Sequence, residues 1–527
     1  MIREELEKIL YESGYVGKIE HPMISNFGDF AVRGNVGLEK NDLIEKIEKI
    51  AGFTNIWIKK EKLLTEAEKI NFETNFKSEL AKYGDHKTVV IDYSAPNIAK
   101  PFGIGHLRST NIGQSIYNLY KILGWNCIGD NHLGDWGTQF GKLIVSIKNW
   151  NKTAPEKLTI GDLEQLYIKF HREAEKNPEL EDEARIWFAR LENGDPEAKS
   201  IWQTCVEISL KEFDRVYKIL GVKIDNTLGE SFYTDKMPKI IEEMEKKGIT
   251  KKSEGAVIVE FKEMPPAMVK KTNETTTYFT RDMATVMYRL ETWQPDLIIY
   301  EVGADQILHF KQVFETVKML GYNVKMVHVA HGMIRRSDKK LSTRKGEIIH
   351  LTEVIDKAIE EAKKIAPDNS EEKIMAVAIG AIKFNDLSSD PKKEIVFDWK
   401  RVMSMEGNSG PYLQYTYARC SSVLSKTKIV EQKDLVSVPE TINLEEESLL
   451  REFYKFEEKI QEAAVRFNPA VLAEFLLGIA RKYNEFYGKH RIIDEPEENW
   501  RIFLTKTTAS VLKIGLTILG IETIDKM

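Results

Sequence analysis

The sequence predicts a multidomain α/β protein built on a doubly wound parallel sheet, and three observations carry that prediction. First, the β-branched run TVVIDYS (88–94), the helix-like IGQSIYNLYKILG and the strand-like WNCIGDN make a βαβ unit of about 40 residues, the element of a parallel nucleotide-binding sheet. Second, DLIIYEVG (296–303), HFKQVFETVKMLG and VKMVHVAHG (324–332) repeat that order further along the chain. Third, after about residue 351 the strand patterns give way to helical periodicity. The central domain is therefore expected to be Rossmann-type, with an all-α bundle behind it.

The remaining elements follow in chain order. Residues 1–80 read as a small α+β domain with a connector: an amphipathic start, a Gly-rich stretch from Asn26 to Gly37, a charged helix over LIEKIEKIAG, and a strand at NIWIKK. The polar segment 61–87 favours helix. The sheet domain is expected over 86–350, interrupted by a long, charged insertion at about 145–270. The helical domain is expected over 351–527, where EVIDKAIEEAKKIA, IMAVAIGAIKF, LLREFYKFEEKIQEAAVRF, VLAEFLLGIARKYNEFY and TTASVLKIGLTILG each carry an apolar stripe.

Composition bounds the function. The chain has 527 residues with 42% hydrophobic, 30% charged and 10% aromatic residues, which excludes a disordered or fibrous protein. No apolar run reaches the roughly 20 residues needed to span a bilayer, so no membrane association is expected. The acidic, amphipathic start MIREELEKIL is unlike a secretion signal, and a cytoplasmic location is expected. Cys127, Cys205 and Cys420 lie far apart and suit a reducing compartment; no structural metal is expected. A net charge of −6 does not suggest nucleic acid, but binding needs a local patch rather than a basic total. The densest such patch, RRSDKKLSTRK (335–345), alone reads as a solvated loop.

The loop NIAKPFGIGHLRST (97–110) joins the first strand to its helix, at the crevice where parallel sheets bind nucleotides. Gly103 and Gly105 allow close approach of phosphate, and His106 falls at a helix N-terminus that favours an anion. Taken alone, a Gly-x-Gly-His run reads at least as well as a structural turn.

It does not stand alone. IDYSAPNIAKPFGIGHLRSTNIG, NHLGDWGTQFG, TTYFTRDMATVMYR, VGADQILHFKQVF, HGMIRRSDKKLSTRKG, GAIKFNDLSSDPKKEIVFDW, EGNSGPYLQYTYAR and VLKIGLTILGIETIDKM follow one another along most of the chain. In that order they resemble the arginyl-tRNA synthetases, a family of class I aminoacyl-tRNA synthetases. The resemblance implies an arginine–tRNA ligase: ATP and L-arginine form arginyl-adenylate and pyrophosphate, then the arginyl group moves to the 3′ end of tRNA(Arg). It implies ATP with Mg2+ held largely by phosphates and water. A monomer is expected. Other readings are a different class I synthetase, or a non-catalytic tRNA-binding paralogue.

Site residues carry over by motif position. The family's arginine-binding residues fall on Asp92, Asn97, Tyr278, Asp282 and Gln306, with Glu230 in GESFY as a further member. A permanently charged, planar guanidinium asks for carboxylates at fixed geometry, and Tyr278 can pack on its plane or its stem. The family commonly has a glutamate where Asp92 stands. For ATP, the class signature His-x-Gly-His reads here Gly103-Ile104-Gly105-His106, without its first histidine; Lys100 is a candidate to compensate. The cationic signature loop corresponds to Lys340-Leu341-Ser342-Thr343-Arg344-Lys345, in which Lys340, Arg344 and Lys345 supply charge and Thr343 replaces a lysine. Ser342 and His309 are expected on the ATP side. For tRNA, Phe27 in NFGDFAV represents the N-terminal contact domain. RKYNEFYGKHR (481–491) offers Tyr487 and Arg491, with Tyr483, Phe486 and Tyr487 equally readable as helix core. Trp136 and Trp399 are expected to pack.

Overall fold

A computed structural model describes residues 1–22, 24–336, 350–365, 367, 369–427 and 436–527. The chain forms two compact units. One gathers Met1–Tyr83, Ala362–Phe384 and Met403–Met527; the other comprises Gly84–Glu361 and Asn385–Val402.

The second unit is built on a five-stranded sheet of β1 (Thr88–Asp92), β2 (Asn126–Asn131), β3 (Asn226–Thr227), β4 (Leu297–Gly303) and β5 (Lys325–His331). All neighbours are parallel, in the spatial order β5-β4-β1-β2-β3. The strand order reverses between β1 and β4, the topological switch point of a doubly wound sheet. The central strands are apolar on both faces because helices cover both: Val89, Val90, Ile91, Ile298 and Ile299 are fully buried. Each such side chain contributes on the order of 1.5–3 kcal/mol of burial. Helix α1 (Ile104–Ile122) follows β1, α2 (Tyr278–Trp293) precedes β4, and α3 (Ile307–Met319) follows it. Met283, Val286, Val313 and Val317 from α2 and α3 share one core with Val90 and Ile298.

Between β2 and β4 run four long helices, Thr138–Trp150, Ile160–Ala174, Glu179–Glu192 and Pro196–Leu220. A three-stranded antiparallel sheet of Thr250–Ser253, Ala256–Val259 and Ala267–Lys270 follows. The chain beyond residue 351 is not all helical. Ile395–Phe397 pairs in parallel with Ile334–Arg336, and the buried Arg108 of α1 fastens this return. Its guanidinium donates to Asp386 at 3.0 Å, to the Gly332 carbonyl at 2.9 Å and to the Lys393 carbonyl at 2.6 Å.

In the first unit, Ile19–Glu20, Phe30–Arg33, Phe53–Ile58 and Ile44–Ile50 form an antiparallel sheet in that spatial order. The helix expected over LIEKIEKIAG is thus a strand. Its isoleucines, three apart, imitate a helical stripe. However, Ala51 and Gly52 both take positive φ (52° and 83°), closing a two-residue turn that pairs Ile50 with Phe53. Beta-branched side chains on a paired strand then outweigh the periodicity. Helices Lys60–Asn71 and Glu73–Ala81 come next, as expected of the connector. The helical part comprises Gly410–Leu424, Leu444–Phe453, Lys455–Val465, Ala470–Lys489 and Glu498–Ile518. Its core holds Leu449, Leu476, Tyr483 and Leu512.

Candidate active site

The segment after β1 runs out over the switch point, and its backbone is strained. Ser94, Ala95 and Ala99 have φ of 76°, 43° and 61°, a region L-residues occupy at a cost of about 1–2 kcal/mol each. Hydrogen bonds hold it there. The Ser94 N–H donates to Ser109 Oγ at 2.9 Å, the Ala95 N–H to Asn131 Oδ1 at 3.0 Å and the Ala99 N–H to Ser209 Oγ at 2.8 Å. The loop is thus fixed in shape from three neighbouring elements before any ligand arrives.

Beneath it lies a cavity of about 540 Å³, and Asp92, Asn97, Glu230, Tyr278, Asp282 and Gln306 all line it. These are the six residues assigned to arginine. Asp92 ends β1, while Tyr278 and Asp282 lie one turn apart at the start of α2. Glu230 opens the turn Glu230–Lys236, docked by Asp135, whose carboxylate accepts from the Ser231 N–H at 2.8 Å and its hydroxyl at 2.6 Å. The acids are set into the walls, whereas Asn97, Gln306 and Tyr278 (72% exposed) stand at the mouth.

Each wall carboxylate has an internal partner. Asp92 receives the buried Arg289 guanidinium at 2.6 Å, and the same guanidinium reaches Asp130 at 2.7 Å. Glu230 pairs with Arg281 at 2.9 Å. Asp282 is hydrogen-bonded to His309 Nε2 and lies 3.7 Å from His132 Nε2. Burial pushes the Glu230 carboxyl up, partly opposed by Arg281. Burial also works against Asp282, but His309, His132 and Arg289 outweigh it and leave its carboxyl below the usual range. Asp92, Glu230 and Asp282 against Arg281 leave two negative charges on the cavity wall, and the Asp130–Arg289 pair behind it cancels. That suits a ligand with two cationic groups.

His309, expected on the ATP side, lines this cavity. Lys100, Gly103, Gly105 and His106 are not among its lining residues: Lys100 lies in the loop before α1, Gly103 caps the helix, and Gly105 and His106 lie in its first turn. The Gly103 N–H donates to His106 Nδ1 at 3.3 Å, which leaves the ring proton on Nε2. Burial, then the charges of Lys100 and His331, push the imidazole down to about 4. It is a neutral donor at pH 7. A Cβ at Gly105 would meet nothing within 4 Å, so that face of the first turn of α1 is open. The Lys100 ammonium lies 5.4 Å from the Tyr167 ring centroid. These are N–H donors and a cation, a set that suits phosphate oxygens and not a bare metal ion. Lys340, Ser342, Thr343, Arg344 and Lys345 lie outside the described residues.

In the other unit, Tyr483 and Phe486 are core, whereas Tyr487 is 41% exposed. The Arg419 guanidinium carbon sits 4.7 Å from the Tyr415 ring and 4.8 Å from the Tyr487 ring, and Arg419 also hydrogen-bonds Asn484. Arg491 is paired with Asp494 at 2.9 Å, and Phe27 is partly exposed at a short turn. Trp136 packs edge-on against Phe188 and Trp202, and Trp399 against Phe397.

Sequence reasoning missed Arg281, Arg289, Asp130 and His132. The available signal was the helix Tyr278–Trp293 itself: arginines at 281 and 289 share its polar face with Asp282.

Comparison with known proteins gives the family and the fold. Residues 72–399 match the family described as "tRNA synthetases class I (R), catalytic domain", and residues 413–527 match the "DALR anticodon binding domain". The chain is 40% identical to an arginine–tRNA ligase of Clostridium perfringens, over 97% of this chain and 96% of that protein. It is 43% identical to one of Halothermothrix orenii, over 84% and 81%. The solved arginyl-tRNA synthetase of Thermus thermophilus shares the fold across the full length of both chains, with a TM-score of 0.83 at 22% identity. On the strength of its sequence relatives, the chain belongs to the class I arginyl-tRNA synthetases.

Proposed function

We propose that the chain is an arginine–tRNA ligase that activates L-arginine with ATP and transfers it to the 3′ end of tRNA(Arg). The observation carrying this is the switch-point cavity, where six residues in family positions meet around an excess of two negative charges. The guanidinium would take Asp282 and Glu230, with Tyr278 closing over its plane from the mouth. The α-ammonium would face Asp92 and Asn97. That leaves the substrate carboxylate as the one group repelled by the walls, and so directed outward to the ATP.

In the first step a carboxylate oxygen of arginine bonds to the α-phosphorus, and the bond to the β-phosphate oxygen breaks. Charge grows on phosphate oxygens, so the protein's task is electrostatic. His106 would donate from Nε2, the α1 N-terminus would offer the N–H group of Gly105, and Lys100 would supply charge. Lys340, Arg344 and Lys345, with Ser342, are assigned to the pyrophosphate side. Magnesium would be held by phosphate oxygens and water. In the second step a ribose hydroxyl of the terminal adenosine attacks the arginyl carbonyl, and AMP leaves.

The domains take their roles from this scheme: 1–80 contacts tRNA through Phe27, 86–350 carries the chemistry, and 351–527 binds the anticodon through Tyr487 and Arg491. The Arg419 guanidinium between two tyrosine rings supports a stacking platform for an unstacked base. Among the described residues no helix is long and apolar enough to cross a membrane. A cytoplasmic monomer is the assembly proposed.

The test is charging of unfractionated tRNA with each labelled amino acid in turn, with ATP and magnesium. Arginine-only charging is expected. No charging with intact tRNA binding would leave a non-catalytic paralogue, with Gly103 the first position to restore to histidine.

A further inference from the structure

Arg289 lies on α2 eleven residues beyond Tyr278, on the helix that also presents Asp282 to the cavity, yet it touches no part of the cavity. Its side chain is fully buried. Its Nη2 reaches Asp92 Oδ2 at 2.6 Å and Asp130 Oδ2 at 2.7 Å, and its Nε reaches Asp130 Oδ2 at 3.0 Å. Asp92 and Asp130 are register partners on adjacent parallel strands. Strands in a sheet lie about 4.8 Å apart, so these two buried carboxylates are held close by the fold itself. Only Asp92 lines the cavity.

We propose that Arg289 is a positioning residue for arginine recognition: its guanidinium, shared by Asp92 and Asp130, keeps both carboxylates ionised and fixes Asp92 on the cavity wall. Two buried carboxylates this close cannot both stay charged without a cation, and the pair would otherwise keep a proton. One protein cation between two acids leaves a surplus negative charge, and Asp92 presents it to the substrate. The proposal rests on the cavity being the arginine pocket.

The groups facing this triad come from every element around it. Asp92 comes from β1, Asp130 from β2 and His132 from the segment after β2; α2 gives Arg289 and Asp282, and α3 gives His309. Tyr300 of β4 has its ring 5.2 Å from the guanidinium carbon, and Tyr233 approaches from the turn Glu230–Lys236. Among the described residues Arg289 is the only lysine or arginine ion-paired with Asp92 or Asp130, and the nearby Arg281 is already paired with Glu230.

The experiment is the arginine KM and the ATP KM, by pyrophosphate exchange with tRNA present, from about pH 6 to about pH 9. The parent, R289M, R289K, and R289M combined with D130N are compared. In R289M the arginine KM at neutral pH should rise roughly ten- to a hundredfold, the worth of one charge-assisted contact. It should then fall as pH rises and the shared proton leaves, with the ATP KM unmoved. Adding D130N removes the like charge beside Asp92, so the pH dependence should vanish. R289K has a point charge that bridges the two acids poorly, and should show the same pH dependence at smaller amplitude. It therefore gives an answer even where R289M does not fold. Arginine KM values flat with pH in every Arg289 variant that folds, or an ATP KM rising in step, would reduce Arg289 to a fold-stabilising ion pair and overturn the proposal. D282N separates the two layers: an unchanged arginine KM there would mean that the cavity, and not Arg289, was misread.

Discussion

Replacing Asp282 by asparagine tests the pocket most directly, because it removes one charge while conserving shape. The introduced amide oxygen can still accept from His309 Nε2, so the hydrogen bond that fixes the native side chain has a substitute. The loss is electrostatic. Two unit charges about 4 Å apart interact by about 4 kcal/mol at an effective dielectric constant of about 20, an upper bound for the contact with a substrate guanidinium. Asp282 keeps 22% of its side-chain surface exposed, so solvent screens part of that. A charge-assisted hydrogen bond is worth about 1.5–3 kcal/mol more directly, which is roughly a 10- to 150-fold rise in arginine KM. ATP KM should move by less than about twofold, since no phosphate contact is removed. Citrulline, the neutral isostere of arginine, sharpens the assay. The parent should reject it, and D282N should narrow the gap by raising the arginine KM without improving citrulline much. Arginine and ATP KM are read by pyrophosphate exchange, and the direct affinity by calorimetry. An unchanged arginine KM, or an equal rise for ATP, would refute the placement of the guanidinium.

Other consequences follow from single groups. H106A should slow adenylate formation roughly 100- to 1,000-fold through loss of one phosphate donor, while arginine affinity measured by calorimetry stays as in the parent. The His106 ring should titrate near 4 in the folded protein, read by NMR. Its folded pKa lies below the unfolded value of about 6.5, so the unfolded chain takes the proton first and stability falls as pH drops from about 6.5 to about 4. H106A should lose that component of the acid limb, and an unaltered limb would contradict the burial argument. Y487A should raise the tRNA KM by about 1–3 kcal/mol in free-energy terms without touching arginine or ATP KM, as expected for one lost stacking surface. Lys383 is wholly buried with its ammonium 2.6 Å from the Gly520 carbonyl, and burial pushes its pKa down to about 8. Between about pH 8 and about pH 10.5 the unfolded chain holds the proton that the folded chain has released, so stability rises with pH. Urea unfolding of K383M should lack that rise; equal slopes in both proteins would count against it.

What could be read from the sequence depended on whether a residue's role was local. The central strands announce themselves because parallel strands buried on both faces need runs such as TVVID and LIIYEV. Tyr278 and Asp282 were found because one motif on one helix carries both. Ile44–Ile50 was misread because its isoleucine spacing satisfies a helix, and only the left-handed turn at Ala51-Gly52 and the partner strand decide otherwise. Ile395–Phe397 was invisible for a related reason: three residues give no periodicity, and their partner lies about sixty residues earlier. Arg289 closes a recognised motif and Asp130 lies in the strand-like WNCIGDN, both without a role. Nothing local distinguishes a surface arginine from one that bridges two strands, since the distinction rests on the register of Asp92 with Asp130.

Helix Tyr278–Trp293 shows why these groups sit together. Tyr278, Arg281 and Asp282 occupy its first turns, and Arg289 lies two turns beyond Asp282, about 10 Å deeper along the axis. The apolar face of the same helix is locked into the core through Met283, Val286 and Met287. One rigid element therefore sets the depth of the pocket, the charge at its wall and the counter-charge behind that wall. A loop could carry Tyr278 to the mouth, where some freedom helps a ring close over its ligand. It could not hold Arg289 within 2.7 Å of acids on two different strands while keeping Asp282 in place. Recognition of a permanently charged side chain needs carboxylates that stay ionised in a partly buried site, and each such charge must be balanced until the substrate arrives. The internal arginines supply that balance in part, and the two charges left unbalanced are what the pocket offers to a dication.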